Sequence, residues 1–386
     1  MKKESVNVHI YQSPFQHESR ILRITKTISD EKYFSRILII AAYLEGQKEV
    51  EPIDSRRTIH RIKTLVNPLM GSALRFLFLI EWGIRIVLKL QKENVIVVNP
   101  HSVPALPIAW LLKIQKGSRI IYDTHELETE QYKKHSLKRY LSKIIEAVFI
   151  PSVDYMVTTS AGYAKWYQDH YGIRQIAVLK NYPNIRDNQI GEEEWILRKY
   201  TKINEKDILF IYQGIASKGR GIELLLEVFA QISPDKHIVF LGYGPLVNII
   251  KSYSDRYRNI HFHPAVNPED VHRFVKSCDV GFCIIENLYP SYYYSLPNKL
   301  LEALNAGVPV IVSDFPEMKK PIDEFDCGWT TKVDVDSIKH IVGSIDRTQI
   351  NNKAKNALIW ADRHTWEGQE STLKAVYNRI LHEGKR

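Results

Sequence analysis

Cysteine is scarce in this chain. Its three cysteines among 386 residues, Cys278, Cys283 and Cys327, are too few for a disulfide framework and lack the paired spacing of a structural zinc site. A reducing compartment fits them best. No apolar run reaches bilayer length free of charge, and the opening MKKESVNVHIYQSPF has basic residues but no apolar core of signal-peptide length. The expectation is a cytoplasmic protein, at most peripheral at the inner face of the membrane. Repeats of solenoid period and low-complexity tracts are missing. So are a Gly-x-x-x-x-Gly-Lys-Ser/Thr phosphate loop and a Gly-x-Ser-x-Gly elbow.

What is present is length, apolar content and unevenly placed charge. At 386 residues and 44% hydrophobic composition, the chain exceeds the size at which single cores stop growing, so two domains are expected. The net charge is +9. Residues 1–185 hold 27 Lys and Arg against 17 Asp and Glu, and the remainder 26 against 27, so the whole positive excess lies in the first half. It gathers around Arg56, Arg57, Arg61 and Lys63, around Arg75, Arg85 and Lys89, and around Lys133, Lys134, Lys138, Arg139 and Lys143. Such a surface suits phosphates, anionic headgroups or nucleic acid; with charge as its only support, nucleic acid is the weakest of these.

Apolar, β-branched runs alternate with helical patterns: VNVHIY, RILIIAAY, NVIVVN, SRIIYD, DYMVTTS and QIAVLKN, then DILFIYQG, HIVFLGYG, NIHFHPA, DVGFCII and VPVIVSD. That rhythm predicts βαβ units and two doubly wound parallel sheets facing across a cleft. The boundaries read from it are 1–185, 186–364 and a closing helix over 365–386 that packs back toward the first domain. The polar stretch 183–194 is the linker. Residues 74–90, LRFLFLIEWGIRIVLKL, fit a helix covering the first sheet or one lying on a membrane surface.

The segment PNKLLEALNAGVPV predicts a short helix with Asn298 as N-cap and Gly307 at its end. Leu300, Leu301, Ala303 and Leu304 fall on one arc; Asn298, Lys299, Glu302 and Asn305 fall on the other. A helix N-terminus at the carboxyl edge of a parallel sheet binds anions, and a diphosphate there would put a sugar hydroxyl pair near Glu302. Two metal motifs are weaker. Asp336 in Asp334-Val335-Asp336 reads as an N-cap, and His261 and His263 as a same-face strand pair without a third ligand.

NKLLEA and AGVPVI resemble the nucleotide-sugar signature of the family 4 glycosyltransferases, retaining enzymes of the GT-B fold, which has two facing Rossmann-like domains. GYGP, with Gly242 and Gly244, resembles the family's Gly-x-Gly-Pro turn. YQGIASKGRGIELLLEVF resembles the opening of its donor domain, with Gly214 and with Arg220-Gly221 in the place of the basic residue on the diphosphate. VIVVNPHSVPALPIA is similar to the strand and loop carrying an active-site histidine, here His101, and IIYDTHELETE is similar to the segment carrying His125 and Glu126. Trp366-Glu367 and Tyr377 resemble the closing helix. The resemblance implies His101 and Arg220 as catalytic groups, Glu302 on the ribose, donor contacts from Asn298 and Lys299, and base contacts around Pro264 and Val266. No cofactor and no metal are implied; the nucleotide diphosphate sugar is a substrate, and the acceptor is a glycan or a lipid-linked glycan in cell-surface polysaccharide or glycolipid assembly.

Departures from the pattern matter. The first of two family glutamates is Tyr294 here, and the usual Phe-Gly is Leu296-Pro297, so the sugar is expected to meet a different loop that includes Ser295. The usual arginine after Gly214 is Ile215, with Lys218 as substitute. The glycine-rich first turn is SPFQHES, whose Ser13, His17 and Glu18 are cleft candidates. Two rivals follow: a nucleotide-sugar 2-epimerase on the same fold, and a noncatalytic nucleotide-sugar-binding subunit.

Overall fold

The computed structural model describes residues 4–16, 18–66, 72–131, 136–184 and 196–382. His17, Lys133, Lys134 and nearly all of the expected linker lie outside them. Contacts divide the chain into one unit of Met1–Leu179 with Glu370–Arg386 and another of Lys180–Gln369.

The first unit is built on strands β1 (Ser5–Ile10), β2 (Arg36–Ala42), β3 (Val50–Pro52), β4 (Arg57–Ile62), β5 (Asn94–Pro100), β6 (Arg119–Thr124), β7 (Tyr155–Thr158) and β8 (Ile176–Val178). Their order is β3-β4-β2-β1-β5-β6-β7-β8, parallel except for the β3–β4 pair. The β3–β4 ribbon was not expected, because RTIHRI alternates charge with apolar residues as an edge does. Its cations also correct the charge reading. Arg57 and Arg61 are buried: Arg57 binds Asp54 and the Leu22 carbonyl, and Arg61 binds Glu51 and the carbonyls of Pro14 and Phe15. These two tie the sheet edge together and are not free to attract anions.

Strand β1 shows how sequence alternation places chemistry. Val6, Val8 and Ile10 face a core with Trp82, Ile86 and Leu112, each fully buried side chain contributing about 1.5–3 kcal/mol. Asn7 and His9 point to the opposite face and are themselves fully buried. The helix Ser72–Lys89 covers the sheet through Phe78, Trp82 and Ile86. Among the described residues, no helix is long and apolar enough to cross a membrane.

The second unit has β9 (Ile208–Ile215), β10 (Lys236–Tyr243), β11 (Ile260–Pro264), β12 (Val280–Cys283), β13 (Val310–Ser313) and β14 (Gly328–Thr331), all parallel, in the order β11-β10-β9-β12-β13-β14. β14 was not anticipated; GWTT is a four-residue edge with no apolar run. The key helix spans Asn298–Asn305. Leu300, Leu301, Ala303 and Leu304 pack inward as expected, but Asn305 is buried too, and the N-cap is Pro297. Proline offers no capping oxygen, so Asn298 is the first helical residue and its Oδ1 accepts from Asn181 Nδ2 at 2.7 Å. Gly307, at φ +76°, ends the helix while Val308 N–H returns to the Ala303 carbonyl. Asp334, not Asp336, caps the helix Val335–Ser344, accepting from Ser337 N–H at 2.8 Å.

Candidate functional site

In the second unit, the carboxyl edge of the sheet gathers most of the predicted donor residues. Gly214, Gly242 and Pro264 stand side by side on β9, β10 and β11. A Cβ on Gly242 would lie 2.0 Å from the Gly214 carbonyl oxygen, so glycine is required for the strands to meet there. Gly244 is equally tight, 2.5 Å from the Ala216 oxygen. Gln213, one residue before Gly214 and buried, donates from Nε2 to Glu302 Oε2 at 3.1 Å. Glu302 is therefore held beside the sheet edge by a strand residue.

Two cations converge near it. Lys299 Nζ sits 3.7 Å from the centre of the Tyr212 ring and has no hydrogen-bond partner. Burial, reinforced by the charge of Arg220, pushes its ammonium down to about 7. Arg220 stacks its guanidinium over Tyr292 at 5.1 Å. Lys299 is thus the second cation beside Arg220. Lys218, the expected substitute for the missing arginine, is exposed, as is Ile215. In the tyrosine loop, Tyr294 closes the turn Pro290–Tyr293, its ring 5.1 Å from that of Tyr293. Ser295 Oγ donates to the Tyr292 carbonyl at 2.7 Å, and Leu296 packs on the core beside Tyr292 and Tyr293. Val266 also packs there.

The first unit has its own polar centre at the carboxyl ends of β1, β5 and β6. His101, fully buried, lies with Nδ1 3.0 Å from Asp123 Oδ2 and 3.2 Å from His125 Nε2. Its Nε2 lies 2.8 Å from His9 Nδ1. Burial pushes His101 down to about 4 against the opposing pull of Asp123. His9 Nε2 meets Asn7 Oδ1 at 2.8 Å, and Asn7 Nδ2 donates to the Val97 carbonyl and to Asn99 Oδ1, which also accepts from Tyr377 of the closing helix. Asp123 is paired with buried Arg20, Nη2 to Oδ1 at 2.7 Å. Burial alone would raise this carboxyl, but Arg20 and the two histidines outweigh it and hold it well below the carboxylate range.

Around this centre, Tyr11 lies 5.7 Å from the His125 ring, and its phenol is pushed up by burial and by Glu128, Glu18 and Glu126. Ser13 Oγ donates to Glu18. The Glu126 carbonyl accepts from Thr124. Glu128 is pushed up to about 8 by burial, although it accepts from Val103 N–H.

Sequence reasoning missed Asn7, His9, Arg20, Asp123 and Gln213. Polar residues at period two on a central strand, and one glutamine ending an apolar strand, were the available signals. His261 and His263 stand half-buried on β11, as expected of a partly exposed strand face, and have separate partners: His261 bonds His237, and His263 Nδ1 meets the Pro264 carbonyl. Among the described residues, the three groups spaced for a metal are His101, Asp123 and His125.

Comparisons with known proteins agree with both halves. Residues 193–365 match the family "Glycosyl transferases group 1", and residues 34–182 match "Glycosyltransferase Family 4". A chitobiosyldiphosphodolichol beta-mannosyltransferase of Kluyveromyces lactis is 22% identical over 335 residues, covering 78% of this chain and 73% of its own. Sucrose-phosphate synthase from Thermosynechococcus elongatus superposes with a TM-score of 0.81 at 14% identity, over 98% of this chain and 100% of that one. WaaG, a glycosyltransferase involved in lipopolysaccharide biosynthesis, gives 0.69 at 16% identity, over 96% and 99%. With two parallel-sheet units of the GT-B type, each matched by its own half of the family pattern, the chain belongs to the family 4 glycosyltransferases.

Proposed function

We propose that this protein transfers a sugar from a nucleoside diphosphate sugar to a lipid-linked glycan during cell-surface polysaccharide or glycolipid assembly. The observation that carries the donor half is the pair Lys299 and Arg220 beside the sheet edge, with the ammonium of Lys299 lacking a hydrogen-bond partner. Two neighbouring cations repel until an anion joins them, and a diphosphate supplies two negative charges. Glu302, held by Gln213, then accepts the ribose hydroxyls. No metal is needed to neutralise the leaving group there. Thermal-shift titration with uridine and guanosine diphosphate sugars tests this: stabilisation by one of them that Lys299→Met abolishes supports it, and no stabilisation by either overturns it.

The acceptor half of the proposal rests on the beta-mannosyltransferase relative, whose name describes a diphosphodolichol-linked substrate, and on the outer surface of the first unit. Helices Ser72–Lys89, Leu106–Lys116 and Leu137–Phe149 lie side by side and expose Phe76, Ile84, Ile114, Leu137, Tyr140 and Val148, each more than half exposed. An apolar face of this size, on the half of the chain that carries the positive excess, suits peripheral contact with an anionic membrane.

Transfer with retention, the leaving phosphate helping to deprotonate the acceptor hydroxyl, is the proposed stereochemistry. Inversion is favoured by one observation, the beta-mannosyl product that the name of that relative describes. The anomeric configuration of the product, read by NMR, separates the two.

A further inference from the structure

The helix Leu137–Phe149 turns the carboxyl of Glu146 fully inward. Its two oxygens accept from four hydroxyls: Tyr122 at 3.3 Å and Tyr167 at 2.8 Å on Oε1, Thr129 at 3.3 Å and Tyr171 at 3.1 Å on Oε2. Tyr167 and Tyr171, four residues apart on the helix Ala161–Tyr171, reach it from one helix face. Burial raises the Glu146 carboxyl, and the four donors oppose that rise. A carboxylate held inside a protein by neutral groups is costly, and an apolar side chain of similar size is often no less stable. Stability alone therefore gives no reason for an acid here.

The four hydroxyls point to another one. Tyr122 stands on β6 and Thr129 in the turn Glu128–Glu130 that follows it, so Glu146 bridges the two ends of the segment between them. That segment carries His125 and Glu126, and residues 125–127 lie in neither helix nor strand. Side chains hold its backbone: Thr124 Oγ1 donates to the Glu126 carbonyl at 2.6 Å, and Thr159 Oγ1 to that of His125 at 2.9 Å. Tyr167, the shortest of the four bonds to Glu146, also lies 3.3 Å from Thr124 Oγ1. The helix that bears Glu146 grips the turn again, with Arg139 Nε donating to the Thr129 carbonyl at 3.1 Å, and with Arg139 and Lys143 paired to Glu130. Arg139, Lys143 and Glu146 share one helix face, so one rigid element fixes the far end of the loop.

We propose that Glu146 is a positioning residue for transfer: it staples the loop between Tyr122 and Thr129, and so sets where His125 and Glu126 stand, without touching substrate. Only a carboxylate can take all four hydroxyl protons at once. In Glu146→Gln one oxygen becomes a donor amide, so hydroxyls on that side lose their acceptor while size and packing are kept. The inference rests on the transfer reading for its activity measurement, and on amide hydrogen exchange for the loop itself.

The full chain is compared with Glu146→Gln, Thr129→Val and Thr129→Ser by label transfer to a lipid-linked glycan, by donor affinity and by hydrogen exchange. Glu146→Gln and Thr129→Val should each lower kcat about 10–100-fold, as a misplacement of about 1 Å does. Donor affinity should stay as in the wild type, since the donor groups lie in the second unit. Exchange should quicken over residues 123–130 and nowhere in the second unit. Thr129→Ser keeps the hydroxyl and should restore both rate and protection. Combining Glu146→Gln with Thr129→Val should cost no more than either alone, because both open one staple. Wild-type kcat in Glu146→Gln and Thr129→Val, or a Thr129→Ser as slow as Thr129→Val, overturns the proposal. Quicker exchange spread over the whole first unit also overturns it, by making Glu146 merely structural. If the wild type transfers nothing, the transfer reading falls and exchange decides the loop: unchanged protection in both variants overturns the staple, and loss confined to residues 123–130 upholds it.

Discussion

Replacing Lys299 with methionine separates the donor reading from a purely structural one. Lys299 is an ammonium near Tyr212 and Arg220 with no hydrogen-bond partner, pushed down to about 7 by burial and then by Arg220. A diphosphate ester has no proton of its own to lose near neutrality, so a pH dependence of its binding reports on the protein. The sign follows from the depressed value: the lysine is charged below pH 7 and neutral above it, while the bound anion favours the charged form. Binding therefore takes up a proton above pH 7 and weakens by up to about tenfold per pH unit there, about 25-fold between pH 6.5 and 8.5. In Lys299→Met this dependence disappears, and at pH 6.5 affinity falls by the equivalent of one charge-assisted hydrogen bond, about 1.5–3 kcal/mol or 10–150-fold. The unliganded variant should melt higher than the wild type, since a buried cation without a partner is gone. Calorimetry with the donor sugar nucleotide at several pH values reads all three. A wild-type affinity that is flat across the range, or unchanged affinity in Lys299→Met, refutes the reasoning.

Other outcomes follow from the same geometry. Glu302→Ala should weaken donor binding about 10–100-fold with little change in melting temperature, because its helix packs through Leu300, Leu301, Ala303 and Leu304; equal affinity would remove the ribose assignment. Arg20→Met leaves Asp123 buried without its charge partner and should lower stability by about 3–5 kcal/mol in denaturant titration. In the wild type the contribution of Asp123 is present above its unfolded value and is lost as pH falls through its lower folded value, so that part of the loss belongs below about pH 4. Ile84→Glu with Val148→Glu should abolish binding to vesicles containing anionic lipid while leaving soluble donor binding intact; sedimentation that persists would assign that face another role.

The sequence made the sheets legible where strands are central and apolar, and hid them where strands are short or charged. VNVHIY and HIVFLGYG are buried on both faces and read as strands, whereas β4 carries buried arginines whose partners are distant backbone carbonyls, and β14 has four residues. The grouping of Gly214, Gly242 and Pro264 at the carboxyl edge of the second sheet was largely readable because glycines and a proline end successive strands in chain order. Lys299 was legible as a position, but its pairing with Arg220 depends on how β9 and the Asn298–Asn305 helix meet. The centre around His101 was half visible. His101 and His125 stood in loops marked by pattern, while Asn7, His9 and Arg20 belong to a strand and a helix whose polar residues look unremarkable until the sheet brings them within 3.2 Å of their partners.

The central claim is glycosyl transfer, and product formation tests it most directly. The full chain is incubated with a radiolabelled nucleoside diphosphate sugar that stabilises it, with and without an isoprenoid-diphosphate-linked glycan presented in anionic vesicles. The account predicts that label enters the lipid fraction only when the acceptor is present, and that Arg220→Ala and Lys299→Met both suppress it. Conversion of the donor to an epimer without acceptor, or donor binding with no label transferred to any lipid-linked glycan, would contradict it.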